Sequence, residues 1–110
     1  MNVKRRSVGL CANRANFMAV GGCANNQDLV VAELYLRRLN LWEEMPSLNE
    51  ARSWPGSCIV AGGKTAFVFG GTTSNSEMLN SIEKLQLGDS HWKMLPRDPR
   101  IIGECHLAAV

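Results

Sequence analysis

The sequence predicts an all-β chain: two four-stranded antiparallel blades plus the inner strand of a third, an incomplete β-propeller. Three observations carry that prediction. Short apolar runs, Phe17 to Val20 and Ala66 to Phe69, each end on a glycine pair, Gly21-Gly22 and Gly70-Gly71. Trp42 and Trp92 recur about fifty residues apart, the spacing of a repeat array, and each is soon followed by a proline, Pro46 and Pro96. A Gly-x-Cys pattern returns at even spacing at Gly9, Gly56 and Gly103, with Arg6, Arg52 and Arg100 ahead of it. A period near fifty with four short strands per unit is the mark of a propeller blade.

The first unit runs from about Arg6 to Pro46. Strand a covers about Val8 to Ala12, and a turn at Asn13-Arg14 leads to strand b, Asn16 to Val20. The glycine pair then turns the chain, because positive φ or close backbone approach excludes a side chain. The loop from Cys23 to Asp28 is rich in turn formers. Strand c is about Val30 to Leu36, residues 37–40 make a hairpin, and strand d runs from Leu41 to Met45. Leu29 to Glu44 also satisfies helical propensity. The equivalent segment 79–94 carries Gly88-Asp89 at its middle, which favours two strands and a turn.

The second unit runs from about Arg52 to Pro96. Its strands are about Ser57 to Ala61, Ala66 to Gly70, Ser81 to Leu87 and His91 to Met94. Gly62-Gly63-Lys64 is read as the hairpin between the first two. Gly63-Lys64-Thr65 invites a phosphate-loop reading, but Cys58 stands where that motif needs its first glycine. A third unit starts near Arg100 and contributes only an inner strand, about Glu104 to Val110. Propellers ordinarily close with about four to eight blades, so the chain is expected first of all to be part of a larger propeller, and otherwise to assemble from copies into a ring or to fold marginally.

The double glycines, Glu33-x-Tyr35 and Glu83-x-Leu85, and the tryptophans at 42 and 92 together resemble the kelch repeat. The resemblance covers nearly the whole chain. The start KRRSVGLC looks like the opening of a blade in kelch-like substrate-adaptor proteins. That family often has Asp after the Tyr position, where Leu36 and Gln86 stand here. The resemblance implies a protein-interaction module whose b–c loops and d–a connections gather on one face and bind a partner. Here these are the loops 23–29 and 72–78 and the connections 46–55 and 96–101.

Arg6, Arg52 and Arg100 match the arginines that open strand a in the family, some of which bind acidic partner side chains. Arginine suits that task because its planar fork holds a carboxylate through two hydrogen bonds. The competing role is bonding to backbone carbonyls between blades. Asn25, Asn26, Ser74 and Asn75 offer neutral hydrogen bonds, or serve as ordinary turn residues. Trp54 belongs to no repeat position and precedes Pro55, which favours extended backbone. An aromatic there is a candidate partner anchor. Trp42 and Trp92 are expected to pack between blades.

Composition narrows the alternatives. The 110 residues are 45% hydrophobic and 20% charged, an ordinary globular balance. A net charge of +2 gives no argument for nucleic acid or a membrane surface. No apolar run approaches the roughly 20 residues of a membrane helix. Arg14 interrupts the apolar start too early for a signal peptide. The four cysteines lack C-x-x-C spacing, and His91 and His106 lie in different repeats, so neither a metal site nor any cofactor is expected. The cysteines are expected as buried thiols of a cytoplasmic chain. The expected partner is a protein, with an acidic peptide segment the favoured chemistry; self-association through open blade edges is a further expectation. The alternative is a piece of a propeller enzyme resembling sialic-acid epimerases or oxidases. His106 is its one candidate catalytic group, and Tyr35 is read as blade core.

Overall fold

A computed structural model of the chain describes residues 5–12, 16–60, 64–73, 75–96 and 100. The expected third-unit strand from 104 to 110, with His106, lies outside the described residues, as do Ser74 and the hairpin glycines at 62 and 63. The first four-stranded sheet contains β1 (Gly9–Ala12), β2 (Asn16–Val20), β5 (Ala32–Leu36) and β6 (Leu41–Glu44). Between its second and third strands sits a short ribbon of β3 (Cys23–Ala24) and β4 (Gln27–Asp28). The second four-stranded sheet contains β7 (Gly56–Val60), β8 (Thr65–Phe69), β9 (Ile82–Gln86) and β10 (Lys93–Leu95).

All pairings are antiparallel, and each large sheet is a meander in chain order. The eight strands expected of the two units are present, with ends shifted by a residue or two. Leu29 to Glu44 is thus two strands and not a helix: a turn at 37–40 ends on Asn40, whose φ of 51° suits asparagine. The segment after β7 leads into another strand, so the helix that a phosphate loop would open is not there.

The two large sheets pack face to face, with β1 and β7 as neighbours. Strand alternation explains which side chains meet. Met18, Val20, Ala32 and Leu34 line one face of the first sheet; Ile59, Ala66, Val68, Leu85 and Trp92 line the facing side of the second. Met45 and Leu48, from the connection after β6, close the outer end of this core. The Trp92 indole N–H donates to the Pro46 carbonyl at 2.8 Å, so the largest core side chain is both buried and satisfied. Trp42 differs from expectation: it is half-buried on the far face of the first sheet, tilted against Tyr35 at 5.2 Å.

The glycine pairs earn their place by geometry. Gly21 has φ of 66°, and a Cβ there would sit 2.3 Å from the Arg52 carbonyl oxygen. Gly71 has φ of 94°, and a Cβ would meet the Ser53 carbonyl oxygen at 2.8 Å. Both the left-handed backbone and the close approach exclude any other residue. The approach matters because the connection from β6 to β7 is threaded between these turns. Gly22 N–H donates to Arg52 O at 2.7 Å, and Ser53 and Thr72 exchange backbone bonds of 2.9 and 2.8 Å.

Arg52 is the anchor of that connection. Its side chain is fully buried, and Nε donates to Glu83 Oε2 at 3.1 Å. Nη1 donates to the carbonyls of Gly70 and Ser81, and Nη2 to Ser81 Oγ. Glu83, also buried, further accepts the backbone N–H groups of Asn49 and Glu50. Removing the charge from one partner leaves the other buried and uncompensated. Glu83→Gln is therefore expected to lower unfolding stability by about 3 kcal/mol, read from urea denaturation followed by tryptophan fluorescence.

Candidate functional site

The loop face is assembled by backbone bonding before any side chain is considered. Arg6 and Cys23 form a bridge, N–H to O at 3.0 and 2.8 Å, which ties the start of the chain to the β3–β4 ribbon. The ribbon turns at Asn25-Asn26, with φ values of 51° and 62°. Two successive left-handed residues make the tight hairpin turn that suits strand twist, and asparagine tolerates it. Ser53 Oγ donates to Asp28 Oδ1 at 2.7 Å and so attaches the ribbon to the connection before β7. Thr72 bridges both Ser53 and Met78, which brings the second b–c loop alongside.

This arrangement collects several of the residues singled out from the sequence. Arg6, Asn25 and Asn26 line one open cavity of ≈ 450 Å³, together with Arg5, Cys23 and Ala24. Trp54 lies next to it along the chain's surface: its N–H donates to Ser7 O at 2.7 Å, and its side chain is 72% exposed. Asn75 is exposed in the loop that Thr72 and Met78 close. Arg100 is exposed, but no contact brings it to this cavity among the described residues. Ser74 lies outside the described residues.

Arg52 is placed differently from a partner-binding group. A guanidinium with 0% exposure and four hydrogen bonds inside the chain is held within the fold. Its repeat mate is Arg5 and not Arg6. Arg5 stands as far before Gly9 as Arg52 stands before Gly56. Arg5 donates to Ala19 O, Val31 O and Glu33 Oε1, each at 3.1 Å, and Glu33 is the counterpart of Glu83. Burial holds the Arg5 guanidinium below its ordinary value, and the Glu33 carboxylate pulls the other way. Arg6, displaced by one position, is left exposed above the cavity. Counting the spacing from the Gly-x-Cys pattern, instead of taking the nearer arginine, identifies the buried member of the pair.

Two features of the face carry no sequence signal. Ser7 and Trp54 occupy equivalent positions, and both have positive φ, 58° and 55°. A bulky residue in the left-handed region is uncommon and strained. The expectation of extended backbone before Pro55 is overturned here: Trp54 is held left-handed by its bond to Ser7 and by the Ser53–Thr72 bridge. Met78, 80% exposed, adds a second apolar side chain to the same face.

The cysteines divide. Cys11 and Cys23 are free thiols, whereas Cys58, expected as a buried thiol, is buried and disulfide-bonded. The Gly-x-Cys spacing fixes where a sulfur sits, not its oxidation state. Burial pushes the Cys11 thiol up. No group of three or more His, Cys, Asp or Glu side chains able to hold a metal occurs among the described residues. No helix among them is long and apolar enough to cross a membrane. No protein-family model and no curated protein sequence matches the chain.

The strain at Trp54 is testable without a partner. Asparagine accepts left-handed backbone, and the indole loses little contact when removed. Trp54→Asn is expected to raise stability by about 1 kcal/mol, measured by urea denaturation. A loss of stability would mean that the indole packs against the fold.

Proposed function

We propose that the chain is a kelch-type propeller segment that acts as a protein-interaction module and binds an acidic peptide segment on its loop face. The observation that carries this reading is the cavity in which exposed Arg6 and the turn amides of Asn25 and Asn26 converge, with exposed Trp54 beside it. A carboxylate entering there meets the Arg6 guanidinium, which no carboxylate among the described residues pairs, and neutral donors, while an adjacent apolar side chain is taken by the indole. Arg5 lies beneath and adds positive charge that Glu33 offsets. Rigid sheets presenting conserved geometry through variable loops are a common basis for recognition. The blade assignment is supported by two like meanders stacked face to face with their first strands adjacent, and by the repeated Arg–Glu pairs at 5–33 and 52–83.

The module has no chemistry of its own in this reading. The one hydroxyl–carboxylate contact described on its loop face, Ser53 with Asp28, has the serine buried and ties the ribbon to the connection before β7.

Selection of a displayed random peptide library tests the proposal. The wild-type chain is expected to enrich Asp- and Glu-containing peptides with a nearby apolar residue. Arg6→Glu should abolish that enrichment with unfolding stability retained, and Trp54→Asn should weaken it despite the gain in stability expected of that variant. Arg52 is unsuited to such a test, because its substitution acts on the fold. Enrichment without acidic preference, or unchanged by Arg6→Glu, would refute the reading.

A further inference from the structure

The contact between the two large sheets supplies a template for a second contact of the same kind. Inside the chain, the face with Ala66, Leu85 and Trp92 packs on the face with Met18, Ala32 and Leu34. In the repeat, the equivalents of Ala66, Leu85 and Trp92 are Phe17, Tyr35 and Trp42. These three stand in register across β2, β5 and β6 on the outer face of the first sheet. They form a continuous aromatic row, Phe17 edge-on to Tyr35 at 6.4 Å and Tyr35 against Trp42 at 5.2 Å. Phe17 remains 39% exposed with the Arg37 guanidinium 4.8 Å above its ring. No second sheet covers this row among the described residues.

The complementary surface lies on the outer side of β9 and β10. Cys58, Phe67 and Ile82 are already buried there, so an incoming sheet meets Lys84, Lys93, Leu95 and Pro96. Two details match the aromatic row to this surface. Trp92 donates its indole N–H to Pro46, whereas the indole N–H of Trp42 meets no acceptor among the described residues; the counterpart of Pro46 is the exposed Pro96. Lys84 and Lys93 stand directly opposite each other in the register, with no carboxylate in an ion pair with either among the described residues. Like charges so placed destabilise a sheet unless an anion intervenes. Glu44, exposed and in register with Glu33 on the aromatic face, supplies one. An open cavity of ≈ 670 Å³, lined by Lys84, Gln86, Asp89, Ser90, His91 and Lys93, leaves room for incoming side chains.

We propose that a second copy of this chain seats the aromatic face of its first sheet on β9 and β10, with the Trp42 indole N–H donating to the Pro96 carbonyl and Glu44 meeting Lys84 and Lys93. The two surfaces differ, so the contact is head-to-tail and propagates until a ring closes. This assembly is independent of the loop-face reading, since neither surface includes Arg6, Asn25, Asn26 or Trp54.

Light scattering of the purified chain over a range of concentrations tests the contact. The wild type is expected to reach a discrete mass above the monomer. Glu44→Lys or Lys93→Glu alone should raise the dissociation constant by at least about tenfold, because like charges across an interface are strongly disfavoured. The double variant should return it to near the wild-type value. Both residues are exposed, so unfolding stability is expected to stay constant. Trp42→Phe, which removes the N–H and keeps an aromatic ring, should weaken association as well. A chain that stays monomeric at every concentration overturns the proposal and assigns the two faces to other partners. Association that ignores the charge reversals, or a double variant no better than the singles, overturns it too.

Discussion

The buried ion pair of Arg52 and Glu83 is the constraint on which the rest of the arrangement depends. Taking two charges out of water is costly, and only a full set of hydrogen bonds makes it sustainable. Here the guanidinium reaches a carboxylate, two backbone carbonyls and a hydroxyl, and the carboxylate reaches two further backbone N–H groups. Those partners belong to three separate stretches: the connection at 49–52, the glycine turn after β8 and the start of β9. The pair therefore fixes how the chain crosses from one sheet to the next. With the crossing fixed, Gly22 finds the Arg52 carbonyl, Ser53 finds Asp28 and Thr72, and the loops fall on one face.

The same device appears once more at Arg5 and Glu33, with a difference that bears on function. Arg52 also lies 3.6 Å from Glu50, so two carboxylates balance it. Arg5 has Glu33, and Arg6 follows it at the surface. The first unit therefore carries more positive charge at its loop end than the second, and the open cavity lies where that charge is concentrated. A repeated framework thus yields a local asymmetry without any change in topology.

The strands were readable because their signal is local. Alternation, the glycine pairs and the Gly88-Asp89 turn place them to within a residue or two. The reason for the glycines is not local: the Cβ at position 21 is excluded by the Arg52 carbonyl, a residue of the next unit. The site was less legible. Asn25 and Asn26 announce a turn, but the hairpin they close, and its tie to Ser53, depend on tertiary contacts. Arg6 and Arg52 look alike as single residues, yet one is exposed and the other buried, because the guanidinium that satisfies Glu33 comes from Arg5. Trp54 gives no hint of left-handed backbone, since Pro55 argues for the reverse. That conformation is imposed by bonds to Ser7 and Thr72.

Native-state hydrogen exchange on the amides of Gly22, Asn49 and Glu50 tests the central role of the buried pair most directly. These three report the connection and not the sheets: Gly22 donates to Arg52 O, and the other two donate to the Glu83 carboxylate. They are expected to exchange only with the slow opening that also exposes the amides of β8 and β9. Fast exchange at these positions, with β8 and β9 still protected, would show that the connection opens independently and that the ion pair does not organise the fold.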